Sequence, residues 1–259
     1  MQFIKNIRSF ALVFCLIVLI SNTTFAQRNI KDSIIGTPWI SVHYGLNWTD
    51  KDLSEKFGLL NHIGGTIAYK TNKNYVWGID GSFIFGNQVK LPNLFSNLTD
   101  SYGNIIDENG TIAEIFVNAR GFNTNVIVGK VFPVSFSNEN SGIYTNFGIG
   151  YVQHKIRVET PNNYVPLIET KYRKGYDRYT TGLNLHQFLG YAFLSNNGLV
   201  NFYGGFYMQE GFTKNRREVF FDQPDIPVSS ETMIEIQYGF RVGWFIPIYR
   251  RKPKEFYFD

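Results

Sequence analysis

The stretch Ile234–Ile248 reads IEIQYGFRVGWFIPI. Apolar side chains take every second position: Ile234, Ile236, Tyr238, Phe240, Val242, Trp244, Ile246 and Ile248. Between them stand Glu235, Gln237, Gly239, Arg241, Gly243, Phe245 and Pro247. Successive side chains of a strand point to opposite faces, so this spacing predicts a strand with one wholly apolar face. The other face mixes glycine with charge. Such a strand needs a hydrocarbon environment on one side and a narrow polar one on the other.

The same alternation recurs along the chain and predicts eight strands. Their expected spans are 39–48, 62–70, 75–86, 116–132, 143–158, 182–194, 199–212 and 233–248. In WISVHYGLNW, Ile40, Val42, Tyr44, Leu46 and Trp48 oppose Ser41, His43, Gly45 and Asn47. In the third strand Trp77, Ile79, Phe83 and Phe85 oppose Gly78, Asp80, Ser82 and Gly86. In the fifth, Ile143, Phe147, Ile149 and Tyr151 oppose Asn146, Gly148 and Gly150. Thr124 and Gln187 interrupt apolar faces, and the seventh strand carries aromatics on both.

Long and short connections alternate between these strands. TNKN (Thr71–Asn74) and SNNG (Ser195–Gly198) have the Asn and Gly residues that tight hairpins require at positive φ. All long loops then fall at one end. The expected fold is all-β: an eight-stranded antiparallel up-and-down transmembrane β-barrel with long outer loops and short periplasmic turns. A soluble barrel would turn its apolar face inward and coat its outside with Lys and Glu. Here the polar face is mostly Gly, Asn, Ser and His, which suits a narrow lumen. Trp39, Trp48, Tyr69, Tyr75, Tyr191 and Tyr249, at strand ends, are expected in interfacial girdles.

The N-terminus predicts export to the bacterial outer membrane. Lys5 and Arg8 precede an apolar core from Phe10 to Ile20, and Thr24-Phe25-Ala26 is a small-residue cleavage site. The expected organisation is a signal peptide over 1–26, a periplasmic segment over 27–38, the barrel over 39–249 and a basic periplasmic tail over 250–259. The one cysteine, Cys15, lies inside the signal, which removes disulfides and thiolate chemistry from the mature chain. A pI of about 9.0 reflects the tail RRKPKEFYFD and gives no reason to expect nucleic-acid binding. The weight of the composition lies in its 17% aromatics and 24 glycines.

The four histidines are the first candidates for chemistry. His43, His62 and His186 fall on the lumen face with Ser41, Ser82 and Asp80, whereas His154 has no assigned role; no recognisable catalytic or metal-binding motif surrounds them. No enzyme activity, cofactor or metal is expected. Asp80, Glu235 and Arg241 are expected to form a lumen charge network, since buried charge needs partners. Inward Tyr144, Phe188, Tyr203, Tyr207 and Phe245 should block permeation. Two outer loops, 159–181 and 213–232, interleave bases with aromatics. Arg173, Tyr176, Arg178, Arg216, Arg217, Phe220 and Phe221 are the expected docking residues for another envelope protein. The alternatives are that these loops fold over one another, or that their bases meet lipopolysaccharide phosphates. Outer-membrane lipid and lipopolysaccharide are expected partners of the barrel itself.

Two resemblances extend this reading. Gln237, Gly239, Val242 and Trp244 follow a polar–glycine–hydrophobic–aromatic order similar to the last-strand signal read by barrel-assembly machinery, which implies that machinery as a partner during insertion. HYGLNW (His43–Trp48), with a signal ending Phe-Ala-Gln, resembles the small PorT-like outer-membrane barrels of Bacteroidota. That resemblance implies a non-enzymatic barrel, an accessory role in type IX secretion or gliding, and no catalytic residues. The alternative is a stand-alone barrel for adhesion, envelope stability or slow permeation. Asp32-Ser33-Ile34 also looks like an O-glycosylation site of such bacteria.

Overall fold

Alternation produces strands close to the expected spans: β1 (Thr37–Lys51), β2 (Leu60–Lys70), β3 (Tyr75–Gly86), β4 (Phe116–Pro133), β5 (Gly142–Glu159), β6 (Thr180–Leu194), β7 (Asn201–Asn215) and β8 (Met233–Pro247). The structure, a computed structural model, describes residues 34, 36–134, 138–169, 171–195 and 200–247. The expected signal, the Ser33 site, most of the SNNG turn, Tyr249 and the basic tail lie outside the described residues. Each strand pairs antiparallel with the next, and β8 pairs with β1 to close the barrel. Closure leaves no open ladder edge, as hydrocarbon requires.

The register fixes the shape. From Ile40 it runs through Ile67, Ile79, Val126, Ile149, Leu185, Glu210 and Ile236, and returns to β1 at Asp50. The ladder thus climbs from residue 40 to residue 50 in one circuit. With eight strands, that stagger tilts them and leaves an interior just wide enough for side chains to fill.

The outward face is apolar. Ile40, Val42, Ile67, Ile79, Val126, Ile149, Leu189, Phe240 and Val242 are all exposed. Thr124 and Gln187 also face outward, as does Glu210 on β7. Tyr69, Tyr75, Trp77, Phe132 and Trp244 mark the short-turn end of the belt, and Trp48, Tyr238, Phe122 and Tyr151 the long-loop end. Trp39 departs from expectation. It shares parity with Ser41, turns inward to 4% exposure and stacks on Phe245 with centroids 4.7 Å apart. Among the described residues no helix is long and apolar enough to cross a membrane.

At the β2–β3 turn Asn74 adopts φ 62, and the backbone of Thr71 closes the hairpin onto Tyr75. Strands β4 and β5 are 18 residues each, well beyond the roughly 10 that a bilayer demands. Their excess stands beyond the belt at the long-loop end and supports what folds there. A short helix, α1 (Asp52–Lys56), turns back over the barrel mouth between β1 and β2.

Candidate functional site

Two apolar clusters close the barrel, with a polar layer between them. Near the short turns, Trp39, Tyr144, Phe188, Tyr203 and Phe245 fill the bore. Tyr203 packs edge-on against Phe188 and stacks on Phe245 at 5.9 Å. Gly243 makes room for it, because a Cβ there would fall 2.5 Å from the Tyr203 ring. This inward set explains the two aromatic faces of the seventh strand: Tyr203 and Tyr207 plug the lumen, while Phe202 and Phe206 face out.

Above the plug lie the polar residues. Arg241 donates through Nη1 to both carboxylate oxygens of Asp80 at 3.2 Å, and its guanidinium lies 3.8 Å from the Tyr207 ring centre. Thr66 donates to Asp80 Oδ2 at 2.7 Å. His62 bonds Gln237 at 2.7 Å, His186 bonds Asn146 at 2.6 Å, and Asn123 donates to Gln209 at 2.6 Å. Each of these buried polar side chains thus finds a partner from a different strand, which ties the wall together across the bore.

One of these contacts has the outline of a nucleophilic triad. His43 Nε2 shares a 2.8 Å hydrogen bond with Ser82 Oγ, and His43 Nδ1 lies 3.7 Å from Asp80 Oδ2. Acyl transfer also needs space for substrate and an orienting carboxylate committed to the histidine. Asp80 is instead bonded to Arg241 and Thr66. The adjoining cavity, lined by Ser41, Thr66, Asp80, Tyr203 and Arg241 among others, measures about 10 Å³. That is room for one water-sized molecule. The cluster is built as packing. Among the described residues no group of three or more His, Cys, Asp or Glu is placed to hold a metal ion.

The expected network of Asp80, Glu235 and Arg241 divides in two. Glu235 belongs to a separate site at the long-loop mouth, 2.6 Å from His154 Nε2 and 3.2 Å from Lys56 Nζ. Lys56 comes from α1, and Phe57, just after it, sets its ring edge against His154 at 5.5 Å. Sequence reasoning missed this triad. The available signal was Leu53 and Phe57, spaced i, i+4 in DLSEKF, where a one-turn helix buries both.

Beyond that mouth the long loops fold into an apolar cap. Leu53, Phe57, Leu94, Val158, Val165, Ile168 and Tyr176 are buried together. The expected docking residues are mostly engaged within it. Arg217 grips Asp177 with two hydrogen bonds, 2.8 and 2.6 Å. Arg178 pairs with Asp222 and lies 3.7 Å above the Phe220 ring. Arg173 donates to the Ile168 carbonyl, Arg216 to Thr181, and Tyr176 bonds Asn97. Phe221 packs on Tyr176 and across Gly175, where a Cβ would meet its ring at 2.3 Å. Loops 159–181 and 213–232 therefore hold each other. Large apolar side chains remain on the cap's outer surface, notably Tyr102 at 88% exposure, Ile112, Leu167 and Tyr172.

The assembly-signal residues also separate by face. Val242 and Trp244 point outward, whereas Gln237 is buried against His62. Gly239 stands where a Cβ would meet the Leu46 carbonyl oxygen at 2.0 Å.

No family model matches this chain, and no curated protein resembles it in sequence. Among solved structures the chain is similar, at low identity, to several outer-membrane proteins. The Yersinia pestis attachment invasion locus protein Ail is 13% identical over 82% of this chain and 99% of its own, with a TM-score of 0.35. The N-terminal β-barrel domain of Pseudomonas aeruginosa OprF is 9% identical over 82% and 100%, also at 0.35. A major outer membrane protein of Thermus thermophilus is 10% identical over 82% and 99%, again at 0.35. Likeness at this level carries no argument about fold or function. The barrel is established by its own closed ladder of eight antiparallel strands.

Proposed function

We propose that this protein is a non-enzymatic integral outer-membrane barrel that presents its folded cap as a docking surface for another envelope protein. The membrane location rests on the exposed aliphatic belt between two aromatic girdles, a wall that water accommodates poorly and lipid solvates. Short turns then face the periplasm and the cap faces outward. The lumen is filled, so its value to the cell lies at the cap.

The observation that carries docking is the combination of a self-braced cap with unburied apolar groups. Ion pairs Arg217–Asp177 and Arg178–Asp222 hold the loops in one arrangement. A preorganised surface loses little entropy on association. The anchors on offer are Tyr102, Ile112, Leu167 and Tyr172, with Phe221 at the rim. Arg217 and Arg178 act beneath them as braces. A place in a type IX secretion or gliding assembly draws its support from the HYGLNW resemblance.

The test is affinity purification from native membranes with Leu167→Ala and Tyr172→Ala. Truncating well-buried interface anchors commonly costs about 2 kcal/mol each. The double variant should assemble normally and lose its co-purifying protein. A wild type that purifies alone would instead favour the stand-alone barrel.

A further inference from the structure

Three bases on the outer wall of β4–β7, Arg120, Lys155 and Lys214, stand without an ion-pair partner among the described residues. Arg120 on β4 and Lys155 on β5 are direct register partners, and both point away from the lumen. Like charges placed opposite one another across a ladder destabilise it. Arg120 Nη1 donates to the Ala119 carbonyl at 2.9 Å. Among the described residues, no carboxylate lies within ion-pair distance of Arg120, Lys155 or Lys214. The next cation out, Arg157, is by contrast neutralised by Glu159 at 2.7 Å. On β7, Glu210 faces outward four positions nearer the short turns than Lys214, about 13 Å along the strand.

Between these cations lies an ordered polar shelf. Gln153 is the register partner of Phe122 and Thr181, and Thr181 that of Lys214. Tyr179 donates its hydroxyl to Gln153 Oε1 at 2.9 Å, and Tyr151 donates to the same oxygen at 3.3 Å. Because the ladder climbs on each circuit, Arg120, Lys155 and Lys214 fall within about two residues of one level. That level is just beyond Phe122 and Tyr151, whose rings lie 6.0 Å apart in the girdle. Lipid headgroups occupy that height.

We infer that Arg120, Lys155 and Lys214, around Gln153, bind the phosphate of a phosphorylated outer-leaflet lipid whose acyl chains lie along the belt of β4–β6. The site rests on the outer-membrane reading above. A phosphate brings acceptor oxygens and negative charge to two facing cations, and so turns their repulsion into paired, charge-assisted hydrogen bonds. The aliphatic outer faces of β4 and β5, with Val126, Val128 and Ile149, provide the hydrocarbon contact below it.

The experiment uses the full barrel, reconstituted in phosphatidylcholine vesicles doped with lipid A or with enzymatically dephosphorylated lipid A, then extracted gently for native mass spectrometry. Wild type should retain the phosphorylated lipid about tenfold more than the dephosphorylated one. Arg120→Gln with Lys155→Gln should abolish that preference while heat-modifiable gel migration stays normal; Lys214→Gln alone should weaken it. Equal retention of both lipids by wild type overturns the proposal, as does an undiminished preference in the double variant. Displacement by millimolar inorganic phosphate would show a free-anion site and overturn the lipid assignment. Failure of wild type to insert into the vesicles would overturn the membrane reading instead, which separates the two outcomes.

Discussion

His154 Nε2 lies 2.6 Å from Glu235 Oε2, where the barrel mouth meets the underside of the cap. The same carboxylate receives Lys56 from α1, so one side chain of β8 fastens both the wall and the lid. Its position links register to function. Glu235 pairs with Lys51 on β1 and Gly211 on β7, which sets it below α1.

Replacing Glu235 with Ala should loosen the lid without opening the wall. The change strands His154 and Lys56, and a buried charged donor left without its partner costs about 2 kcal/mol. Limited proteolysis is expected to cut near 52–59 in the variant and spare it in wild type. An unchanged digestion pattern would show that the cap is held by Leu53 and Phe57 alone.

The Arg241–Asp80 pair should behave as a unit. Asp80→Asn leaves a guanidinium in the bore without its counter-charge, and breaking a buried pair costs about 3 kcal/mol. The loss should appear as a lower urea midpoint in detergent. Asp80→Leu with Arg241→Met should regain most of it, since removing both charges removes the desolvation penalty too. Additive losses would mean that the two residues act independently.

Planar-bilayer recording should show no large, stable channel. Trp39, Tyr203 and Phe245 close one end and the apolar cap the other. The triple Ala variant of those aromatics should conduct measurably only when the cap is also loosened by Glu235→Ala. A porin-like conductance from wild type would refute the filled lumen.

The 105–113 hairpin in the outer cap should survive acid. Asp107 accepts hydrogen bonds from the Asn163 side chain and from the Thr111 hydroxyl and backbone, which hold its carboxyl down at about 2. A folded value below the unfolded one gives stability that is full above the unfolded range, near 4, and lost as pH falls through about 2. Hydrogen exchange in this hairpin should therefore stay slow down to pH about 3. Asp107→Asn should remove that pH dependence. Melting of the hairpin already at about pH 5 would contradict it.

Much of the wall was legible in the sequence because a strand's period of two is local. The alternation of Ile234, Ile236, Tyr238 and Phe240 against Glu235, Gln237 and Gly239 specifies strand, face and environment together. TNKN specified its turn for the same reason: positive φ at Asn74 is a property of one residue. Trp39 was misplaced although its parity with Ser41 was visible, since aromatic type suggested a girdle where face dictated a plug.

What the sequence could not decide was which partner each buried group takes. Asp80 and Arg241 are 161 residues apart, and Glu235 and His154 are 81. Their meeting depends on the ladder's stagger round the closed barrel, a quantity no single strand carries. The cap belongs to the same class. Arg217 and Phe221 read as free anchors in a loop, and only the approach of 159–181 to 213–232 shows them engaged with Asp177 and Tyr176. Arg120 and Lys155, 35 positions apart in the chain, became neighbours only through the pairing of β4 with β5. Local pattern determines which way a side chain points, whereas what it meets is set by register and closure.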